Sequence, residues 1–177
     1  KGIQEYVVDT IWSSPSIVDF DRNGTLDIVI GTDSNFHQLP GITLPDGGMI
    51  RAMNGNGVGD LPGFPRLYDE VVYSPPSIGD IMGNGGMSLV VGNGRCWDIP
   101  GCAITHPVSK VVHGVDSAGN NLPSWPRATP NESARTASPA LAKLSGVNGL
   151  VSFINTLRND DINGVVHAFV PGGGELP

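Results

Sequence analysis

Charged residues, and basic ones above all, are scarce in this sequence of 177 residues. Only 15% of the residues are charged, and 10 lysines and arginines against 17 aspartates and glutamates give a formal net charge of −7. A nucleic-acid partner is therefore not expected, because neutralising phosphates requires clusters of basic side chains. Long apolar runs are missing as well. None approaches the roughly 18 residues of a membrane helix, so a membrane span is not expected either.

Cysteine is nearly absent, since Cys96 and Cys102, six positions apart, are the only two. They can close a small loop as a disulfide, or both can be free thiols. We expect the disulfide, whose chain-entropy contribution for so short a loop is about 2 kcal/mol. Such a bond makes a loop rigid but does not hold a domain together.

Glycine and proline, by contrast, are abundant, with 25 and 15 copies. These turn-forming residues are about twice as frequent as in an average protein, which disfavours long helices and favours many short strands joined by turns. The chain has the length of about one ordinary domain, and 39% hydrophobic residues allow a sizeable core.

The sequence repeats itself with a period of about 61 residues, which is the mark of a repeat architecture. Residues 11–19, IWSSPSIVD, align with residues 72–80, VYSPPSIGD, and a third copy begins at residues 137–142, ASPALA. The last copy stops inside its own motif, so we expect a piece of a longer chain. A proteolytic product still bound to the rest, and a self-sufficient protein or oligomer of such units, are the alternatives. The predicted units are residues 1–65, 66–126 and 127–177.

Each unit is predicted to contain four short strands. In the first unit these are residues 16–20, residues 26–30 with alternating apolar side chains, residues 49–53, and a stretch near residues 64–72. Four strands in a repeated unit of about 60 residues are typical of β-propeller blades, and about 4–8 blades close a ring. We therefore predict an all-β fold of about three four-stranded antiparallel blades, part of a larger ring.

Residues 19–27, DFDRNGTLD, predict a calcium site. Side-chain oxygens stand at positions 1, 3, 5 and 9 of this loop, with glycine at position 6. Ca²⁺ takes about 6–8 oxygen ligands, and alternate residues of a tight loop can direct them to one centre. The alternative is a solvated acidic hairpin, in which unneutralised carboxylates would repel one another. The predicted ligands are the side chains of Asp19, Asp21, Asn23 and Asp27 and the backbone carbonyl of Thr25.

The equivalent loops of the other units lose these carboxylates. Residues 80–88, DIMGNGGMS, keep the first aspartate and the Asn-Gly pair, whereas Met82 and Ser88 replace the other acids. Residues 143–149, KLSGVNG, are interpreted as having lost the charge of the loop altogether. One calcium site is therefore expected, not three.

The chain resembles the FG-GAP repeats, also called VCBS repeats, of integrin-like β-propellers. Residues 14–31, SPSIVDFDRNGTLDIVIG, carry the resemblance, together with the strands at 48–53 and 164–169 and the LPGFP motif at 61–65. The resemblance implies a secreted or cell-surface protein that binds carbohydrate, protein or matrix, with calcium as a structural staple between the first two strands. It does not identify a ligand, since a fold hosts many functions.

Two long connections, from residue 31 to 47 and from residue 92 to 110, are candidates for ligand binding, because insertions on a repeat scaffold commonly project to one face. By family analogy this is the face opposite the calcium loop. Trp97 can stack on a sugar or merely cap a sheet edge. Asn131, in an Asn-Glu-Ser sequon, is the candidate glycosylation site. The candidate ligand-binding residues are Phe36, His37, Arg95, Trp97, Asp98 and His106.

Catalysis is not expected from these residues, because no Ser-His-Asp set, paired-carboxylate pattern, phosphate loop or zinc spacing is present. His113 and His167 occupy the strand position that Arg51 holds in the first unit, which favours a structural role. We predict a non-catalytic extracellular calcium-binding module for adhesion, assembly or glycan recognition, whose partners are further blades, other chains, or a glycan or protein ligand. The alternatives are a piece of a polysaccharide-active enzyme or lectin with its active residues elsewhere, and a structural surface-layer component.

Overall fold

The computed structural model describes residues 11–33, 47–57, 59–94, 111–129, 132–134, 137–158 and 164–177. These ranges contain β-strands and turns but no helix, which confirms the all-β prediction. Among them there is accordingly no helix that is long and apolar enough to cross a membrane. The strands are β1 (Ser16–Val18), β2 (Asp27–Asp33), β3 (Gly48–Met53), β4 (Arg66–Tyr68), β5 (Ser77–Gly79), β6 (Ser88–Gly92), β7 (Val111–Asp116), β8 (Arg127–Ala128), β9 (Glu132–Ser133), β10 (Ala140–Ala142), β11 (Val151–Arg158) and β12 (Gly164–Phe169).

The strands form three antiparallel sheets that follow one another along the chain. The first sheet has the order β1-β2-β3-β4 and the second β5-β6-β7-β8. The third has β10-β11-β12, and its fourth strand, β9, also pairs with β11. The first two strands of each sheet pair in the same register, through Ser16 with Val29, Ser77 with Val90, and Ala140 with Phe153. Equivalent sequence positions therefore take equivalent places in the three sheets.

The third sheet departs from the predicted order of four strands per unit. Its extra strand, β9, precedes β10 in the chain and pairs with the far end of β11, through Leu157 with Ser133. β11 has eight residues, against seven in β2 and five in β6, so it has room for both β9 and β10 along one edge.

The core lies between successive sheets rather than within one of them. One cluster combines buried residues of the first sheet, such as Val29 and Ile50, with Leu89 and Val91 of the second. A second cluster combines residues of the second sheet, such as Val112, with residues of the third sheet. Burying each such side chain contributes about 1.5–3 kcal/mol, so packing against the neighbouring sheet stabilises each sheet.

Hydrogen bonds from serine side chains join the sheets in the segments that precede their first strands. The hydroxyl of Ser13 donates to the carbonyl of Ser74 at 3.2 Å, and the hydroxyl of Ser74 donates to the carbonyl of Ala137 at 2.5 Å. The entering segment of the next unit then lies against a glycine of the second strand. A Cβ on Gly31 would lie 2.4 Å from the carbonyl oxygen of Val72, and one on Gly92 would lie 2.2 Å from that of Ala134. Only glycine fits these two positions without a shift of the backbone.

Arginines join the sheets again at their fourth strands. Arg66, in β4, donates to the carbonyl of Gly119 in the hairpin that follows β7, at 2.5 Å. Arg127, in β8, donates to the carbonyl of Gly173 in the turn that follows β12, at 2.8 Å. Each sheet is therefore fixed to the next at two separate places.

Candidate metal centre in the first loop

The acidic loop joins β1 to β2, and its shape depends on two residues in left-handed backbone conformation. Arg22 has φ of 62° and Gly24 has φ of 91°. Side-chain oxygens then cap the backbone N–H groups of the turn. Asp21 accepts from the amide of Asn23 at 3.1 Å, and Asn23 accepts from the amide of Thr25 at 2.8 Å. The side chains of Asp21 and Asn23 therefore bond to the backbone of their own turn.

Asp27, the first residue of β2, ties this loop to the neighbouring hairpin. Its side chain is fully buried. One carboxylate oxygen accepts from the amide of Phe20 at 3.0 Å, and the other accepts from the amide of Gly55, in the turn after β3, at 3.2 Å. Each oxygen keeps a second lone pair, since a carboxylate oxygen can accept more than one bond. Asp27 is therefore both a structural link and an available metal ligand.

Three carboxylates converge at this place, as the sequence predicts. One oxygen from each of Asp19, Asp21 and Asp27 lies within 4.8 Å of the others. Oδ2 of Asp19 accepts from the amide of Gly24 at 3.0 Å, whereas its Oδ1 is buried and has no hydrogen-bond partner among the described residues. A buried carboxylate oxygen without a partner is costly, and a cation would remove that cost. The hard oxygen ligands suit Ca²⁺, so the residues fit the predicted group.

The second loop has no comparable cluster in the described part of the chain. Its remaining acid, Asp80, already accepts from the amides of Asn84 at 3.0 Å and Gly85 at 2.9 Å. Ser88, buried at the position of Asp27, is one of the residues that line a pocket of about 290 Å³ between the loop and the hairpin that follows β7. With one carboxylate, satisfied by backbone N–H groups, this loop needs no cation.

The third loop carries a positive charge where the first loop carries a negative one, and this was not predicted from the sequence. Lys143 directly follows β10, as Asp19 follows β1, and its ammonium donates to the carbonyls of Val147 at 2.5 Å and Gly149 at 3.2 Å. A cationic side chain thus binds loop carbonyls where the first loop gathers carboxylates. The sequence shows a lysine at a position that is acidic in the other two units. It does not show the direction in which the lysine side chain points.

The other predicted site residues lie outside the described residues. These are the candidate ligand-binding residues Phe36, His37, Arg95, Trp97, Asp98 and His106, the cysteines Cys96 and Cys102, and the sequon residue Asn131. The predictions made for them are unchanged by the structure.

The histidines and the arginine at the shared strand position hold hairpins and sheets together. Arg51 forms an ion pair with Asp60 at 2.8 Å. Nδ1 of His167 lies 2.6 Å from a carboxylate oxygen of Glu175. In the first and third units, this pair of side chains therefore links the third strand to the segment beyond the turn that follows it.

His113 is different, because it packs across a junction between sheets. Its ring centroid lies 4.3 Å from that of Tyr68 in the first sheet, and its Nε2 is buried without a hydrogen-bond partner among the described residues. Burial, with a smaller contribution from the positive charge of Arg66, lowers the pKa of His113 from 6.5 to about 4. Neutral His113 is therefore part of the junction between the first two sheets. The sequence gives no sign of its partner, since Tyr68 lies in another unit.

Comparisons of the chain with protein-family models, with curated proteins and with solved structures find no match.

Proposed function

We propose that this chain is a non-catalytic extracellular binding module of the FG-GAP type, a segment of a β-propeller in which one Ca²⁺ stabilises the first blade. The observation that carries the calcium site is the unpartnered, buried Oδ1 of Asp19 beside the carboxylates of Asp21 and Asp27. Three carboxylates so close together repel one another, and a divalent cation neutralises most of that charge.

The ligands of the proposed site are Asp19, Asp21 and Asp27, with Asn23 and the carbonyl of Thr25 from the same loop. When bound, Ca²⁺ would supply positive charge and fix the positions of the loop oxygens. The residues themselves extend this effect beyond the loop, because Asp27 also accepts from the amide of Gly55. Ordering the loop therefore orders the turn after β3, so the proposed role of the metal is structural.

The arrangement of the sheets supports the propeller part of the proposal. Three antiparallel sheets with matching registers follow one another, and each buries its core against the next. Their first strands, β1, β5 and β10, approach one another along a groove of about 460 Å³ lined by Ile17, Ile78 and Leu141. Strands that converge on a common groove are what blades around a central axis require.

Ligand binding is assigned in this proposal to the long connections from residue 31 to 47 and from residue 92 to 110. Support comes from the family resemblance and from the frequent use of surface loops for binding on rigid scaffolds. A Trp97→Ala variant is then expected to lose binding to arrayed glycans or matrix proteins, whereas Leu67→Ala, at an exposed position of β4, is expected to keep it.

Calcium titration by calorimetry, followed by thermal unfolding with and without a chelator, tests the metal site. The chain is expected to bind one equivalent of Ca²⁺ and to unfold at lower temperature in chelator. Asp19→Asn is expected to abolish both effects. Asp80→Asn is the matched control, since it changes the same loop position in the second sheet and is expected to leave calcium binding intact. Absence of calcium binding, or an equal loss in both variants, would contradict the proposal.

A further inference from the structure

Asn-Gly pairs are frequent in this chain, and six of them lie wholly among the residues that the structure describes. These pairs begin at Asn23, Asn54, Asn56, Asn84, Asn93 and Asn148. Asn-Gly is the pair most prone to deamidation, because glycine has no side chain to keep its amide nitrogen away from the asparagine side chain. Whether a pair reacts in a folded chain depends on how these two groups are held.

In five of the six pairs the amide of the glycine donates a hydrogen bond. The acceptor is an aspartate carboxylate in the bonds from Gly24 to Asp19 at 3.0 Å, from Gly55 to Asp27 at 3.2 Å and from Gly85 to Asp80 at 2.9 Å. It is a main-chain carbonyl in the bonds from Gly57 to Asn54 at 3.0 Å and from Gly94 to Val71 at 3.3 Å. In the sixth pair, the amide of Gly149 donates no hydrogen bond within the described part of the chain.

The asparagine side chains of the three equivalent loops show the same contrast. Asn23 accepts from the amide of Thr25 at 2.8 Å, and Asn84 accepts from the amide of Gly86 at 2.9 Å. Each of these side chains is therefore held by the turn that follows it. The side chain of Asn148 is exposed and forms no hydrogen bond with the described residues. Of the three loops, only the third thus leaves unbound both groups that must meet in the reaction.

The first residue of the loop explains the difference. Asp19 and Asp80 each direct a carboxylate to the glycine amide of their own loop. Lys143, at the same position, has no acceptor atom, and its ammonium donates to the carbonyls of Val147 and Gly149. A carboxylate that accepts an N–H bond opposes loss of the proton from that amide, whereas a nearby positive charge favours it. Lysine in place of aspartate therefore removes the protection.

We propose that Asn148 is the site of a spontaneous covalent modification, deamidation through a succinimide. The amide nitrogen of Gly149, after losing its proton to the solvent, attacks Cγ of Asn148, and ammonia leaves as the new C–N bond closes a cyclic imide. Water then opens the imide at either carbonyl, which gives aspartate or isoaspartate. Water is consumed and ammonia is released, and neither calcium nor the propeller assignment enters the argument.

The products disturb the contact between the second and third loops. Leu150 donates its amide to the carbonyl of Ile81 at 3.0 Å, and a Cβ on Gly149 would lie 2.1 Å from the same oxygen. Isoaspartate adds a carbon to the main chain at a place without spare room, and both products add a negative charge. Amide exchange of Leu150 is therefore expected to be faster in the deamidated chain, isolated by ion exchange, than in the unmodified chain. Equal exchange would contradict this loosening.

Peptide mass spectrometry of the folded chain, incubated in mildly alkaline buffer, tests the proposal. Fragment spectra of the tryptic peptides separate the sites. Asn148 is expected to deamidate at least about tenfold faster than Asn84, because no hydrogen bond to a charged group has to break first. In concentrated urea, where the loops are unfolded, the two sites are expected to react at similar rates. A folded chain in which Asn148 reacts no faster than Asn84 overturns the proposal.

Two variants check the chemistry and the protection separately. Asn148→Gln is expected to leave the tryptic peptide 144–158 unmodified, because the longer side chain closes the ring far more slowly. Asp80→Ala removes the protecting carboxylate of the second loop and is expected to speed deamidation of Asn84. An unchanged, slow rate at Asn23 in this variant shows that the fold is kept. An Asn84 rate equal to that of the wild-type chain would refute the protection by aspartate, and the proposal with it.

Discussion

Replacing His113 by phenylalanine is expected to remove a pH-dependent part of the free energy of unfolding. In the folded chain, burial against Tyr68 lowers the pKa of His113 from 6.5 to about 4. The folded state therefore binds fewer protons than the unfolded state between these two values, and stability falls as the pH falls. Because one pKa unit corresponds to about 1.4 kcal/mol, the loss between pH 7 and pH 4 is about 3 kcal/mol. Above pH 7 this contribution is fully present.

Urea unfolding at pH 7, 5.5 and 4 measures the effect. Acidic residues also titrate in this range, so the relevant quantity is the difference between the wild-type chain and His113→Phe at each pH. Phenylalanine keeps the ring contact with Tyr68 and adds no titratable group, and Tyr68→Phe is the control that should keep the full pH dependence. If the wild-type and His113→Phe profiles run parallel from pH 7 to pH 4, the reasoning about burial is refuted.

Two further predictions concern the loops of the second and third sheets that are equivalent to the acidic loop of the first sheet. Lys143→Met removes two hydrogen bonds to loop carbonyls and is expected to lower the free energy of unfolding by about 1 kcal/mol. The value is small because the lysine is exposed. Amide hydrogen exchange is expected to be faster in residues 143–150 and unchanged in the first loop. The double variant Met82→Asp, Ser88→Asp gives the second loop the acids that the first loop has. Calorimetry is expected to show that this variant binds a second equivalent of calcium. An unchanged stoichiometry would mean that the loop backbone, not the acids, decides calcium binding.

Much of the fold could be predicted because its determinants are local. Alternating apolar residues, Gly-rich turns and the aligned segments predict the strands of the first two sheets to within a few residues, although β2 and β3 extend beyond their predicted bounds. The convergence of Asp19, Asp21 and Asp27 follows from their spacing on one tight loop. β9 was not predicted, because its pairing with β11 depends on contacts between distant residues.

The parts of the site that could not be predicted depend on neighbouring sheets or hairpins. The hydrogen bond from the amide of Gly55 to Asp27 joins residues 28 positions apart, and nothing in either segment identifies the other. The same holds for His113 and Tyr68, which meet only because two sheets stack. Lys143 shows a different limit, since the sequence gives its charge but not the carbonyls that it binds.

The links between sheets have a consequence for how such a chain can evolve. In four of these hydrogen bonds the donor is a side chain, of Ser13, Ser74, Arg66 or Arg127, and the acceptor is a main-chain carbonyl. Every residue type offers a carbonyl, so the accepting unit needs no matching substitution. A unit can therefore be duplicated or exchanged in one genetic step and still be held by its predecessor. Ala137 illustrates this freedom, because it has no hydroxyl to donate and yet accepts the bond from Ser74.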